Sequence, residues 1–451
     1  MKRNIFSRAF LQGNWAENVC VEWDSNGLIT KITPGYDGEG EIVTGYALPA
    51  MNNVHSHAFQ RAMAGLAEYS TSANDSFWTW RDIMYRFAEK ISASDLEGIA
   101  AQLYLEMLKA GYVSVVEFHY LHHSDEGSMA MSQAIINAAT NTGIGLCHLP
   151  VLYMASGFGG LAINDKQKRF AHSLNDYLDL IKSLSLKMAG NNNQHLGMAF
   201  HSLRAVPEEA LQECLSVNPA SGPIHIHISE QTQEVSDCLD WSGKRPVQWL
   251  YDNFDVDDRW CLIHATHLNE DEIAAIAGSG AVVGLCPTTE ANLGDGLFPL
   301  KKYMDRGGHI AIGSDSHISV SVTEELRLLE YGQRLKYQQG NIAANDQEIH
   351  TGTHLYQKTL TGGARASGFD NGAIEIGKRA DIIVLDERSP LLTGSPNRNI
   401  IDRFIFSGNV NPVKHVYVRG EKVVSDYKHA SEDRINDDYR AIMDRLKKVL
   451  D

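Results

Sequence analysis

The chain has 451 residues, 43% hydrophobic and 21% charged, with 56 acidic against 40 basic side chains and a formal net charge of −16. That length calls for one large domain with a smaller companion, and ample interior for a buried site. A surface this acidic repels phosphate backbones and anionic headgroups, which argues against nucleic acid and membrane as partners. No apolar run reaches the roughly 18 residues of a membrane span. The opening MKRNIFSRAFLQGNWAEN is broken by Arg8 and Gln12 where a signal sequence needs unbroken apolar residues, so a cytoplasmic location is expected. Cys20, Cys147, Cys214, Cys238, Cys261 and Cys286 form no CxxC pair and are expected as buried free thiols.

Residues 1–46 show alternation and turns, and ENVCVEWDSNGLITKITPG predicts a hairpin around Ser25, Asn26 and Gly27. From residue 47 short β-rich runs alternate with longer helical stretches, the pattern of repeated strand–helix units around a parallel sheet. The runs are YALPAMNNVHSH (46–57), VSVVEFHY (113–120), GIGLCHLPVLY (143–153), HLGMAFHS (195–202), PIHIHISE (223–230), WCLIHATH (260–267), AVVGLCP (281–287) and HIAIGSDS (309–316). Eight such strands predict an α/β fold, a TIM-like (β/α)8 barrel over residues 47–371. Between the first two runs, ASDLEGIAAQLYLEMLKAG reads as an amphipathic helix with Ser94 as N-cap and Gly111 as its stop. NGAIEIGKRADIIVLDE and VKHVYVRGEKVVSD return to strand–turn character. Residues 1–46 and 372–430 are therefore expected to pair into one small β domain, with a C-terminal helix over 431–451.

In such a barrel the site lies at the C-terminal ends of the strands. Those ends carry His55 and His57, His119 and Tyr120, His201, His227 and Glu230, His264 and His267, and Asp315. Any one of these histidines has an ordinary reading as a hydrogen-bonded interior residue. Independent placement would not load one rim with so many imidazoles and carboxylates. His55 and His57, two apart on a strand, point the same way. With His227 and Asp315 they make a ligand set for a single divalent ion, zinc being expected, although iron or manganese accept the same donors. The end of the fourth run lacks the lysine that a dinuclear site often uses as a bridge.

Such an ion brings the pKa of bound water down to about 7. Glu230 is placed to take a proton from that water and pass it to a departing nitrogen, and Asp315 can accept a proton as well. A capping role for Glu230 at a helix near Gln231 is disfavoured, because glutamate is a poor N-cap. His264 is expected to polarise the electrophile. His225 lies deeper and reads as core.

HSHAFQRAMAG, HIHISE, LIHATH and IGSDS together resemble the amidohydrolase superfamily in its mononuclear, deaminase-like branch, and ADIIVLD resembles that superfamily's small β-sandwich. HAFQRAMAGLAE, FWTWRDIMYRF, HSLRAVP and CPTTEANLGDGLFP are similar to the formimidoylglutamate deiminase family within it. Two positions depart from the usual pattern: PAMNNVHSH lacks a glycine after the proline, and Phe200 precedes His201 where proline is common. The resemblance implies hydrolysis of N-formimino-L-glutamate to N-formyl-L-glutamate and ammonia by attack on the amidine carbon, as a step of histidine degradation. It assigns Arg81 and Arg204 to the two substrate carboxylates, a task suited to guanidinium, with Gln60, Tyr120 and His201 beside them. Trp78 and Trp80 are expected to pack rather than recognise, and Arg61 to be structural. CPTTEANLGDG reads as a rim loop or an ordinary turn. The expected partner is a small dicarboxylate amidine, and the expected assembly a homodimer. The alternatives are a deaminase of a purine or pyrimidine-type heterocycle and a non-catalytic scaffold, the latter disfavoured because every ligand position is filled.

Overall fold

The computed structural model describes residues 2–68, 77–217 and 222–449. At the N-terminus β1 (Lys2–Leu11) buries Phe6 and Ala9, and β2 (Asn14–Trp23) buries Val19, Val21 and Trp23 in the same core, while Phe10 joins the main core. The hairpin to β3 (Ile29–Thr33) is present. Asp24 Oδ1 accepts the N–H groups of Asn26 and Leu28, and Gly27 takes φ +76°, which a side chain would resist. β4 (Ile42–Pro49) returns parallel to β1.

The barrel follows as β5 (Met51–Ser56), β6 (Tyr112–His119), β7 (Gly145–Leu152), β8 (Gln194–Leu196), β9 (Met198–Ser202), β10 (Ile224–Ile228), β11 (Trp260–His264), β12 (Val282–Leu285) and β13 (His309–Ile312). These strands are parallel in chain order around the barrel, with short β8 set against β7. Most are buried along their whole length, as expected of a parallel sheet with both faces covered. A bridge between Ser56 and Asp315 joins the chain beyond the last strand to the first. Gly313 permits it, since a Cβ there would lie 2.7 Å from the His55 nitrogen.

The chain then supplies β14 (Ile382–Leu385), β15 (Val413–Val418), β16 (Glu421–Ser425) and β17 (Lys428–His429). β14 pairs antiparallel with β4, so strands from both ends share one sheet in the order β17-β16-β15-β14-β4-β1-β2-β3. A buried amide network ties this sheet to the barrel: Asn52 and Asn371 exchange hydrogen bonds of 2.9 Å, and Asn371 also donates to Asp381. The helix Glu432–Leu446 closes the chain, with Ile442 packed on Gly98 and ion pairs Arg445–Asp95 and Lys109–Glu432. All six cysteines are free and buried. Among the described residues no helix is long and apolar enough to cross a membrane.

Three local expectations need correcting. The run 46–57 belongs to two sheets, because Ala50 gives its N–H to Asp381 and Met51 gives its own to Gly111, so the backbone changes partners between β4 and β5. HLGMAFHS is cut at Gly197, where the Pro223 carbonyl passes 2.5 Å from any Cβ position. The helix Ala93–Ala110 is capped by Ser92 and not by Ser94. Ser92 Oγ accepts the Asp95 N–H and the Asp95 carboxylate accepts the Ser92 N–H, a reciprocal capping box, while Ser94 is exposed in the first turn. Gly111 does end the helix, at φ +98°. Ser92→Ala is accordingly expected to destabilise the protein by about 1 kcal/mol, and Ser94→Ala by less than about 0.5 kcal/mol, in denaturant unfolding. Equal effects would put the cap elsewhere.

Candidate active site

His55 and His57 lie edge to face, their ring centroids 4.6 Å apart. His227, from the end of β10, and Asp315, just past β13, reach the same point. His55 Nε2 is 2.9 Å from His227 Nε2 and 3.3 Å from Asp315 Oδ1, and His57 Nε2 is 3.2 Å from Asp315 Oδ1. All four side chains are buried. Two tautomers follow from the backbone. His57 Nδ1 stands 2.9 Å from the Phe118 carbonyl and His227 Nδ1 2.9 Å from the His201 carbonyl. A carbonyl only accepts, so each Nδ1 carries the hydrogen and each Nε2 turns a lone pair into the cluster.

Burial drives His55 down to about 3, with His57 adding to the effect and Asp315 opposing it. His227 is likewise held well below the ordinary range, by burial and then by His55. Burial pushes Asp315 upward, but the neighbouring His55 and His57 outweigh this and hold its pKa well below the ordinary carboxylate range. Three imidazoles and one carboxylate converging in a buried space fit a divalent ion of the zinc type. The sequence-derived ligand set is thus brought together.

The backbone around it is held in uncommon conformations. Ser229, His264, Asp315 and His317 all have φ between +46° and +67°. Asp315 is pinned from both sides, donating its N–H to the His55 carbonyl and accepting the His57 N–H. His317 Nε2 also accepts the His57 N–H, at 3.2 Å.

Glu230 Oε1 lies 4.0 Å from His264 Nε2, which is 3.8 Å from Asp315 Oδ2. On the other side of the ring, His264 Nδ1 is 3.3 Å from Glu290 Oε1. Burial would lower His264, yet Glu230, Glu290 and Asp315 together lift it to about 10. Burial raises Glu230 above the ordinary glutamate range, against the pull of His264. Glu230 caps nothing. Glu234 instead accepts the N–H groups of Ser229 and Glu230, at 3.1 and 3.0 Å.

A narrow pocket opens over these groups and is lined also by Gln60, Tyr120, His201 and Arg204. Gln60 Nε2 donates to the Tyr120 hydroxyl at 2.6 Å, leaving Gln60 Oε1 buried and unpartnered among the described residues. Arg204 sits in the turn after β9, half-buried, with no hydrogen-bonded or ion-paired partner among the described residues. It also lines an outer cavity of about 990 Å³. Arg81 lies on the helix Phe77–Lys90, and its side chain falls outside the described residues, as does that of Trp78. Trp80 lines the pocket, where packing alone was expected.

Not every rim histidine faces inward. Phe118 turns into the barrel against His55, His57 and His227, so its neighbour His119 points to the other face and packs on His122 and His148. His267 Nε2 is taken up by the Asp295 carbonyl at 2.8 Å. His225 is core, as expected, with Nε2 2.8 Å from the Ala366 carbonyl. Pro287–Leu293 is a short helix, neither loop nor simple turn, because Pro287 starts it and Gly294 ends it at φ +73°. It brings Thr289 and Leu293 to the pocket. Arg61 is structural, paired with Glu106 and donating to the His317 carbonyl. Glu234, Glu290 and His317 escaped the sequence reading; only Glu290, three residues after the end of a barrel run, carried any signal.

Residues 46–423 match the amidohydrolase family, and the chain belongs to that family. It is 48% identical to formimidoylglutamate deiminase of Pseudomonas aeruginosa over 452 residues, covering 98% of each chain. Identity to a 5-methylthioadenosine/S-adenosylhomocysteine deaminase of Haloarcula marismortui is 25%, over 91% of this chain and 89% of that one. The crystal structure of an amidohydrolase from Brucella melitensis superposes with TM-score 0.94 at 40% identity, covering 99% and 100%. A zinc complex of atrazine chlorohydrolase from Arthrobacter aurescens TC1 shares the fold, with TM-score 0.83 at 20% identity over 98% and 100%.

If the converging lone pairs hold a cation, His227→Ala should weaken divalent-ion retention by at least about 100-fold in chelator competition followed by elemental analysis. Unchanged metal content would remove His227 from the ligand set.

Proposed function

We propose that this chain hydrolyses N-formimino-L-glutamate to N-formyl-L-glutamate and ammonia, a step of histidine degradation. The observation that carries the reading is Arg204, a cation with no hydrogen bond or salt bridge among the described residues, at the mouth of a pocket whose floor is otherwise histidine and carboxylate; Glu230 and Glu234 feel its charge without bonding to it. A strongly acidic protein has little reason to leave such a guanidinium without a bonded carboxylate unless its ligand is an anion. The 48% likeness along the full chain supports the same substrate.

His55, His57, His227 and Asp315 would hold one divalent ion, for which zinc is our choice. Bound there, the ion supplies a Lewis acid that lets water ionise near neutral pH. Glu230 Oε1 takes the first proton of the attacking water and delivers it to the amidine nitrogen. His264, fixed through Nδ1 by Glu290, directs Nε2 at the oxygen arriving on the amidine carbon and steadies the charge that develops there. Asp315 Oδ2, facing His264, receives the second proton as the tetrahedral adduct collapses and hands it to the same nitrogen. Both water protons thus end on the nitrogen that leaves as ammonia. Arg204 pairs with one substrate carboxylate and Arg81 with the other. Gln60 Oε1, Tyr120 and His201 take hydrogen bonds along the substrate. Six reduced cysteines suit the cytoplasm, and we take the assembly to be a homodimer.

A second reading, deamination of a heterocyclic base, draws on Trp80, Tyr85 and Phe170 in the pocket wall, which offer faces for stacking. Arg204→Ala separates the two. For the dicarboxylate it should raise KM by about 10- to 100-fold with a smaller change in kcat, because a charge-assisted pair is lost from ground and transition state alike. For an uncharged base KM should barely move. Ammonia and N-formylglutamate are the expected products, and formamide with glutamate would refute the proposed bond cleavage. The pH profile carries its own sign. Glu230 must be ionised to accept a proton and burial raises its pKa, so kcat/KM should climb with pH through a midpoint above the ordinary value of about 4.3. A midpoint at or below that value would take Glu230 out of the role.

A further inference from the structure

We propose that His264, Cys286 and Asp315 form a second cation site, one that admits a thiophilic divalent ion and blocks proton transfer when filled; the inhibitory part rests on the roles given above to His264, Glu230 and Asp315. These three residues present one nitrogen, one sulfur and one oxygen within 4.8 Å of one another, all buried. They come from the ends of three barrel strands, β11, β12 and β13, and so converge for the same topological reason as the first ligand set.

Asp315 belongs to both groups, and its two oxygens divide between them. Oδ1 faces His55 and His57 at 3.3 and 3.2 Å, while Oδ2 faces His264 at 3.8 Å. A carboxylate turned this way can bridge two ions, which in two-metal sites stand roughly 3.5–4 Å apart. The sulfur sets the preference. The first set offers only nitrogen and oxygen, whereas Cys286 adds a soft donor that favours zinc or cadmium over magnesium or manganese. Cys286 has no part in the hydrolysis described above, and its backbone N–H is already satisfied by Glu290 Oε1 at 2.9 Å. The Glu230 carboxylate borders this space beside His264 Nε2, so added positive charge meets compensation there.

Binding converts the Cys286 thiol to a metal-bound thiolate, and the thiol proton leaves to solvent. The ion would occupy His264 Nε2 and Asp315 Oδ2, with Glu230 Oε1 4.0 Å from that nitrogen and within reach. The first ion need not be displaced for turnover to stop.

The test uses the full chain loaded with one zinc ion and titrated with Cd2+ alone. Bound metals are counted by elemental analysis after equilibrium dialysis, and the ultraviolet thiolate-to-cadmium charge-transfer band is recorded. The wild type is expected to keep its zinc, take up one cadmium, develop the band and lose activity. Cys286→Ser should lack the band, retain basal turnover and need at least about 10-fold more Cd2+ for half-inhibition. Absence of band and second ion in the wild type, a measurement that needs no variant, would overturn the proposal. Equal cadmium binding by Cys286→Ser would do the same. Stoichiometry and band do not depend on the substrate, so a chain that binds cadmium as described yet releases no ammonia would count against the hydrolysis and leave this site standing.

Discussion

Two imidazole nitrogens facing each other at 2.9 Å in a buried space set the terms for the rest of this molecule. The hydrogen on His227 is committed to a carbonyl at Nδ1, so Nε2 has only a lone pair to offer. Asp315 adds a negative charge to the same point. Left to themselves, such groups would separate or fill with solvent, and the fold prevents both. His55 is fixed by closure of the barrel at Gly313, and Asp315 by backbone hydrogen bonds to both histidines. The left-handed conformations of Ser229, His264 and Asp315 cost on the order of 1–3 kcal/mol each. That strain sits where strand ends must turn their side chains toward one centre, which is where a cation would offset it.

Negative charge accumulates around the centre in layers. Asp315 touches it, Glu230 and Glu290 flank His264, and Glu234 sits behind Glu230, raised to about 7 by burial and relieved in part by Arg204. Asp295, lifted to about 9 by burial and by Glu230, ties the segment after the Pro287–Leu293 helix to Gln231 and, through its carbonyl, to His267. A site built in this way attracts metal ions strongly and anionic substrates poorly. In the proposed function Arg204 answers the second problem, and the shared Asp315 with a nearby thiol follows from the first.

Much of this was legible in the sequence, because the two periodicities that build a barrel are strong signals. All eight runs became strands, and the ligand positions follow from strand ends and the two-residue spacing of His55 and His57. Other features turn on interactions that no local pattern carries. Ser92 beat Ser94 as cap because Asp95 completes a reciprocal pair with it. His119 was lost from the rim because Phe118 takes the inward face, and period two alone does not say which of two neighbours wins. Ala50 divides β4 from β5 through an acceptor, the Asp381 carbonyl, that lies more than three hundred residues away. Glu290 became the partner of His264 only when β11 and the segment after β12 came side by side.

The division of labour between strand and connection explains how solved structures at 18–20% identity can keep this fold while their names differ. His55, His57, His227 and His264 sit on or at the ends of strands locked by parallel pairing, where a shift of one residue would turn every side chain to the opposite face. Arg204 and the Pro287–Leu293 helix lie in connections, where residues can change without disturbing that register. The ion-binding geometry is therefore set by the barrel as a whole, whereas the charge of the ligand that fits is set by a few positions in its turns. Arg204 borders both the inner pocket and the outer cavity, so under the proposed function a substitution there would change what is admitted while leaving the centre beneath it intact.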